Sequence, residues 1–177
     1  MKIIKYSNQS KYYKDVTIHA CPPGDIKVSI LRGKILQECD KRIKTWYTDW
    51  PKDLWYCVIA ETQNNPFSIA CARTDGKVMC YLYTLKQYRK NYRDLAQTDY
   101  TQIFIDNAIT DEIYLSIDAF SKKHERLAKA WDRVITNGGI PPEYTPYKGK
   151  WIYNGIRPYR NVDQHFYKLN IKKYKTS

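Results

Sequence analysis

Trp55-Tyr56-Cys57-Val58-Ile59-Ala60, Pro66-Phe67-Ser68-Ile69-Ala70-Cys71-Ala72 and Lys77-Val78-Met79-Cys80-Tyr81-Leu82-Tyr83-Thr84-Leu85 decide the fold. Each run is short, apolar and rich in β-branched or aromatic residues, which suits a strand better than a helix. Asp75-Gly76, between the second and third runs, is a strong hairpin-turn dipeptide. Residues 55–85 therefore predict an antiparallel meander.

Upstream of the meander, Val28, Leu31, Ile35, Cys39, Ile43 and Trp46 recur every three or four positions. That spacing predicts one helix, or two broken near Gly33, ended by Trp50-Pro51. Residues 7–25 are polar, close on Cys-Pro-Pro-Gly-Asp and read as a loop, with a short first strand at residues 2–6. Downstream, Tyr92, Leu95, Ala96, Tyr100, Ile103, Phe104 and Asn107 or Ala108 give a second helical period. Ile113–Ile117 returns to strand. Ser121 caps a further helix with Leu127, Ala130, Trp131, Val134 and Ile135 on its apolar face, and Asn137-Gly138-Gly139 stops it. Trp151-Ile152-Tyr153 and residues 165–171 read as two closing strands separated by a polar loop. The order β, helical, β, β, β, α, β, α, β, β predicts one α/β (α+β) domain over residues 1–177, with helices covering a mixed sheet.

Lys and Arg total 30 against 18 Asp and Glu, a formal charge of +12, which favours anionic partners. No run of eighteen apolar residues is present, so no transmembrane helix is expected, and the first residues lack a secretory pattern. The five cysteines are odd in number and form no Cys-x-x-Cys, which excludes zinc-type spacing and a full disulfide framework. Cys57, Cys71 and Cys80 lie in apolar runs and read as core thiols of a cytoplasmic protein.

The element order resembles the GNAT superfamily of N-acyltransferases. Leu82-Tyr83-Thr84-Leu85-Lys86-Gln87-Tyr88-Arg89 looks like the end of that family's fourth strand and the approach to its pyrophosphate loop. Ile113–Ile117 with the helix from Ser121 resembles the fifth strand and fourth helix. Trp151–Gly155 and His165–Leu169 resemble the closing pair. The resemblance implies a mostly antiparallel mixed sheet of about seven strands with helices on both faces, and acetyl-CoA or another acyl-CoA as donor. Two departures stand out. Tyr92 and Asp94 occupy positions where the family carries glycines, and Ala128 or Trp131 falls near its usual general-acid tyrosine. A fainter likeness, on Trp151-Ile152-Tyr153, is to phage Mom-type DNA-modification enzymes.

Acyl transfer through a ternary complex needs a strand edge for the donor's amides, N–H groups facing its diphosphate, and a base for the amine. Thr84 and Leu85 are the expected edge. Arg89, Lys90, Asn91, Tyr92, Arg93 and Asp94 are the expected cradle at a helix start. Asp118, Glu61, Tyr81 and Tyr83 are the catalytic candidates, at or near strand ends that face a central cleft. His19 and Cys21 read as a surface-loop pair, and His165 as packing at the start of the last strand. Basic residues interleave with aromatics at residues 86–93 and 144–160, a mixture that suits phosphate contact and base stacking. Lys148, Lys150, Tyr153, Arg157, Tyr159 and Arg160 are the expected nucleic-acid contacts. The expected function is acyl-CoA-dependent N-acylation of a nucleic acid or other polyanion, by a monomer or homodimer, with no membrane partner. The alternative is a non-catalytic domain of the same fold that binds nucleic acid or protein. A diphosphate cradle at residues 89–94 favours the enzyme; Tyr92 packed across the site favours the binding module.

Overall fold

The computed structural model describes residues 6–48, 50–73, 77–92, 95, 98–118, 151–159 and 162–172. Eight strands form one sheet. In chain order they are β1 (Tyr6–Gln9), β2 (Thr17–Cys21), β3 (Leu54–Thr62), β4 (Asn65–Arg73), β5 (Val78–Thr84), β6 (Glu112–Asp118), β7 (Ile152–Tyr159) and β8 (Val162–Asn170). Their spatial order is β1-β2-β3-β4-β5-β6-β8-β7. Every neighbouring pair is antiparallel except β5 with β6. The meander over residues 55–85 is therefore present as β3-β4-β5, with its turn at 74–76 outside the described residues.

Helices α1 (Ile26–Glu38), α2 (Lys41–Thr48) and α3 (Asp99–Asn107) complete the described elements, with a short 3-10 turn at Lys86–Tyr88. The Asp25 side chain caps α1 by accepting from the Lys27 N–H at 2.9 Å. Val28, Leu31 and Ile35 face the core, and α1 packs mainly on β4. The helix runs through Gly33 and breaks at Cys39, whose backbone turns extended. Gly33 is exposed, and an added Cβ would meet nothing within 4 Å, so nothing there interrupts the helix.

Cys57 and Cys71 meet on one face of the sheet, where Tyr47 of α2 is also close to Cys71. Tyr56, on the opposite face, meets Phe104 of α3. Helices thus cover both faces, and β3 and β4 are buried almost end to end, as centrally placed strands are. Among the described residues no helix is long and apolar enough to cross a membrane.

Three local expectations change. The segment read as a loop over residues 7–25 contains most of a β1–β2 hairpin, whose polar residues suit strands near a sheet edge. α3 begins at Asp99, well past Tyr92; Tyr92 and Leu95 look helical in spacing because both pack inward. The polar loop expected after Tyr153 is strand, paired with β8 through Tyr159↔Val162. A register shift between Tyr153 and Ile156 carries Gly155 at φ 90°, a conformation glycine adopts without strain. The expected helix from Ser121 lies outside the described residues.

Candidate active site

β5 and β6 run parallel but pair at only two positions, Val78↔Tyr114 and Met79↔Leu115. Beyond Met79 the ladder stops, while β5 continues to Thr84 and β6 to Asp118. On its other side β5 carries a bulge. Ile69 faces Tyr83 and Cys71 faces Cys80, so Tyr81 and Leu82 together oppose Ala70. Tyr81 has φ 54°, which costs a bulky L-residue about 1–3 kcal/mol. The bulge therefore lies on the stretch of β5 that has left β6.

The end of β5 was expected to offer a main-chain edge. The Leu85 N–H instead turns inward to the Phe67 carbonyl at 2.8 Å, so Leu85 closes the β4 side. By alternation the main-chain groups of Thr84 face away from β4. The Thr84 carbonyl accepts from Arg89 Nε at 2.8 Å, and its hydroxyl meets Ser68 Oγ at 2.8 Å. The Thr84 main chain thus lies on the side away from β4, with Arg89 folded onto it and over the Tyr83 ring at 5.0 Å.

Tyr81 and Tyr83 both meet Tyr47 of α2, with ring centroids 5.6 and 5.9 Å away. The Tyr47 hydroxyl donates to the Tyr81 carbonyl at 2.7 Å and so holds the bulge. Trp50 stacks on Tyr47 at 5.8 Å. Arg32 lies over Trp50 at 4.5 Å and donates to the Tyr47 carbonyl at 2.8 Å. The Tyr83 hydroxyl donates to Glu38 Oε2 at 3.0 Å, and the Lys86 N–H reaches the same oxygen at 2.9 Å. Burial pushes the Tyr83 phenol up, the bond to Glu38 adds to this, and Arg89 opposes it. Burial likewise pushes Tyr47 up. A neutral phenol bonded to a carboxylate can move a proton between them. Helical periodicity selects apolar residues, so it passed over Glu38 at the end of α1 and Tyr47 in α2.

Glu61, expected at a strand end facing the cleft, lies near the end of β3. It is buried on β3, held by Lys27 Nζ at Oε2 and His19 Nε2 at Oε1, each at 2.7 Å. Burial is the largest influence and raises its pKa, but the bonds from Lys27 and His19 outweigh it, so the carboxyl sits below its usual value. His19 and Cys21 are correspondingly not loop residues: both lie on β2, and Cys21 is buried. Asp118 ends β6 opposite Gln164 of β8.

The expected cradle is built differently. Its segment leaves β5 through the 3-10 turn, and Lys90 and Asn91 are exposed. Tyr92 packs on Phe67 at 4.8 Å and on Tyr13 at 5.1 Å, and its hydroxyl donates to Asp15. The start of α3 meets the chain's own carboxylate: Asp99 accepts from Ser10 Oγ at 2.6 Å and from the Lys11 N–H at 3.0 Å. Arg93 and Asp94 lie outside the described residues. A tyrosine side chain thus fills space in the stretch that sequence likeness assigned to glycines.

Of the expected nucleic-acid contacts, Tyr153 is exposed and bonded to His165 Nδ1 at 2.8 Å. The Arg157 guanidinium lies 4.0 Å over Phe166 and 5.2 Å from Tyr114. Tyr159 ends β7. Lys148, Lys150 and Arg160 lie outside the described residues.

No family model matches the chain, and no curated protein does. Solved structures do. An acyl-CoA N-acyltransferase from Pseudomonas aeruginosa aligns with TM-score 0.56 and 10% identity, covering 87% of this chain and 99% of its own. An aminoglycoside 6'-N-acetyltransferase complexed with coenzyme A gives 0.52 and 14%, covering 87% and 96%. A GNAT-family acetyltransferase from Bacillus cereus gives 0.50 and 13%, covering 88% and 96%. These matches lend no support to the finer likeness to Mom-type enzymes. The strand order, the divided β5–β6 pair and these alignments agree that the chain has the GNAT acetyltransferase fold.

Proposed function

We propose that the chain is an acyl-CoA-dependent N-acyltransferase whose acceptor amine is carried by a nucleic acid or other polyanion. The observation that carries this reading is the bulge at Tyr81 on the part of β5 that has parted from β6. Such a gap admits an extended acyl-pantetheine arm, which bonds main-chain groups as an added strand does. Thr84 is the edge residue for that arm. Main-chain groups around Tyr81 and Leu82 face the thioester, where oriented dipoles stabilise developing oxyanion charge. The amine nitrogen attacks the thioester carbonyl carbon and the C–S bond breaks. Glu38 takes the amine's proton, Tyr83 gives its own to the leaving sulfur, and Glu38 then restores Tyr83. Asp118, which ends β6, is a second carboxylate candidate for the base. The charge of +12 supports an anionic acceptor, and the buried thiols Cys21, Cys57, Cys71 and Cys80, none of them in a disulfide, support a cytoplasmic setting.

Isothermal calorimetry with acetyl-CoA tests the donor. Binding that raises the melting temperature is expected, by about 2.7 kcal/mol of stability at a hundredfold excess over Kd. Neither heat nor a melting shift at millimolar acetyl-CoA would remove the enzyme reading. The packing of Tyr92 on Phe67 and its bond to Asp15 favour the second reading, a binding module without transfer. That reading requires a nucleic acid to bind where acetyl-CoA does not.

A further inference from the structure

We infer that the β1–β2 loop and the segment after β5 together form a platform for single-stranded nucleic acid. The inference takes the class of partner from the acceptor proposed above but does not depend on acyl transfer.

Lys11-Tyr12-Tyr13-Lys14 lies on the first of these segments, and Lys86, Tyr88, Lys90 and Tyr92 on the second. The fold brings them together. Tyr12 and Tyr13 meet edge to face at 4.7 Å, Tyr13 meets Tyr92 at 5.1 Å, and Tyr92 meets Tyr88 at 6.1 Å. All four rings are half-buried, while Lys11, Lys14, Lys86 and Lys90 are exposed around them. Exposed Asp15 accepts the Tyr92 hydroxyl, and Glu38 accepts the Lys86 N–H. The result is a run of tyrosines bordered by cations.

The loop is also held in shape from beneath. Ser10 Oγ donates to the buried Asp99 and accepts the N–H groups of Tyr12 and Tyr13 at 3.1 and 2.9 Å. The Lys11 N–H donates to the other Asp99 oxygen at 3.0 Å. A buried carboxylate thus fixes the backbone that carries two lysines and two tyrosines. A surface ordered before binding loses less conformational entropy when its partner arrives. Lysines recognise phosphates, and tyrosine rings take the faces or edges of unstacked bases. A duplex offers this surface its phosphates alone, which is why the occupant is a single strand.

Fluorescence anisotropy of the full chain with a fluorescein-labelled oligothymidylate tests this, against a duplex of equal length and across a salt series. Tighter binding to the single strand is expected. With Lys11, Lys14 and Lys90 each meeting a phosphate, the log–log salt slope should be about −2. The double change Lys11→Gln, Lys14→Gln should flatten the slope by about 1.4. Tyr12→Ala should weaken binding about tenfold at unchanged slope, and Tyr12→Phe should retain it. Unchanged melting temperatures would show that these surface variants fold. Equal affinity for duplex and single strand, or no effect of Tyr12→Ala, overturns the platform. Displacement of the oligonucleotide by coenzyme A also overturns it, because the surface would then be the donor's own. Oligonucleotide binding without acetyl-CoA binding sustains the platform while removing the transferase reading. Acetyl-CoA binding without oligonucleotide binding does the reverse.

Discussion

Glu38 ends helix α1 and Glu61 bonds Lys27 at the helix start, and the two glutamates meet opposite kinds of partner. Glu61 is buried between Lys27 and His19, so both of its oxygens are bonded, one of them to a cation. Glu38 meets a phenol and a main-chain N–H on a single oxygen, beside the bulged strand. A carboxylate bonded by an ammonium and an imidazole is a poor proton acceptor, because its anionic form is already stabilised. One bonded to a neutral phenol sits in a proton path. Strand-end position, which singled out Glu61 in the sequence, records nothing of the partner across the contact.

The largest expected effect separates the two at once. On the proposed reaction, Glu38→Gln should lower turnover about 100-fold, in the usual range for losing a general base. Acetyl-CoA affinity should change little, since glutamine still accepts from Tyr83 and the Lys86 N–H. Release of the coenzyme A thiol, followed with an oligonucleotide acceptor, checks this. Full turnover in Glu38→Gln would transfer the base role to Asp118.

Glu61→Ala should act on stability instead. It leaves the Lys27 and His19 side chains without their shared acceptor, and breaking a buried pair costs about 3–5 kcal/mol. Lys27 is partly exposed and water can replace some of the interaction, so about 2 kcal/mol is expected in a denaturant titration. The pH dependence has a definite sign. Glu61 binds its proton less readily folded than unfolded, so its contribution is present above the ordinary glutamate pKa. It is lost as the pH falls through the lower folded value. Glu61→Gln should remove that part of the acid limb, and an unchanged limb would show that the ion pairs do not couple to folding.

How far the sequence could be read follows the same division between local and distant information. β3, β4 and β5 were legible because buried strands are continuous apolar runs, a pattern contained within each segment. The β1–β2 hairpin was not, because Thr17 and His19 alternate with apolar neighbours inside a stretch whose overall composition is polar. Tyr81, Tyr83 and Thr84 were named as candidates from their places on one strand. Glu38 and Tyr47 were missed because their partners lie 45 and 34 residues away, and no local period records such a contact. The His19–Glu61 bond spans 42 residues, so the same blindness left His19 read as loop and its bond to Glu61 unforeseen.

The smallest expected effect tests what holds the bulge beside Glu38. The Tyr47 hydroxyl bonds the Tyr81 carbonyl, and Tyr81 occupies a backbone region that bulky residues avoid. Such a conformation persists only where surrounding contacts over-determine it. Tyr47→Phe removes one hydrogen bond and keeps the ring against Trp50, Tyr81 and Tyr83. The loss in global stability should be about 1 kcal/mol. The more telling readout is local. Without the phenol, β5 should open at the bulge more often than β3 and β4 do, so amide exchange should quicken at Tyr81 and Leu82 while the β3–β4 ladder stays protected. The same variant should also lower turnover, because the bulge orients the main-chain groups assigned to the thioester. Uniform acceleration across the sheet would mean that Tyr47 serves the whole core. No acceleration anywhere would mean that strand pairing alone keeps the bulge, and that Glu38 and Tyr83 work beside a backbone needing no support from α2.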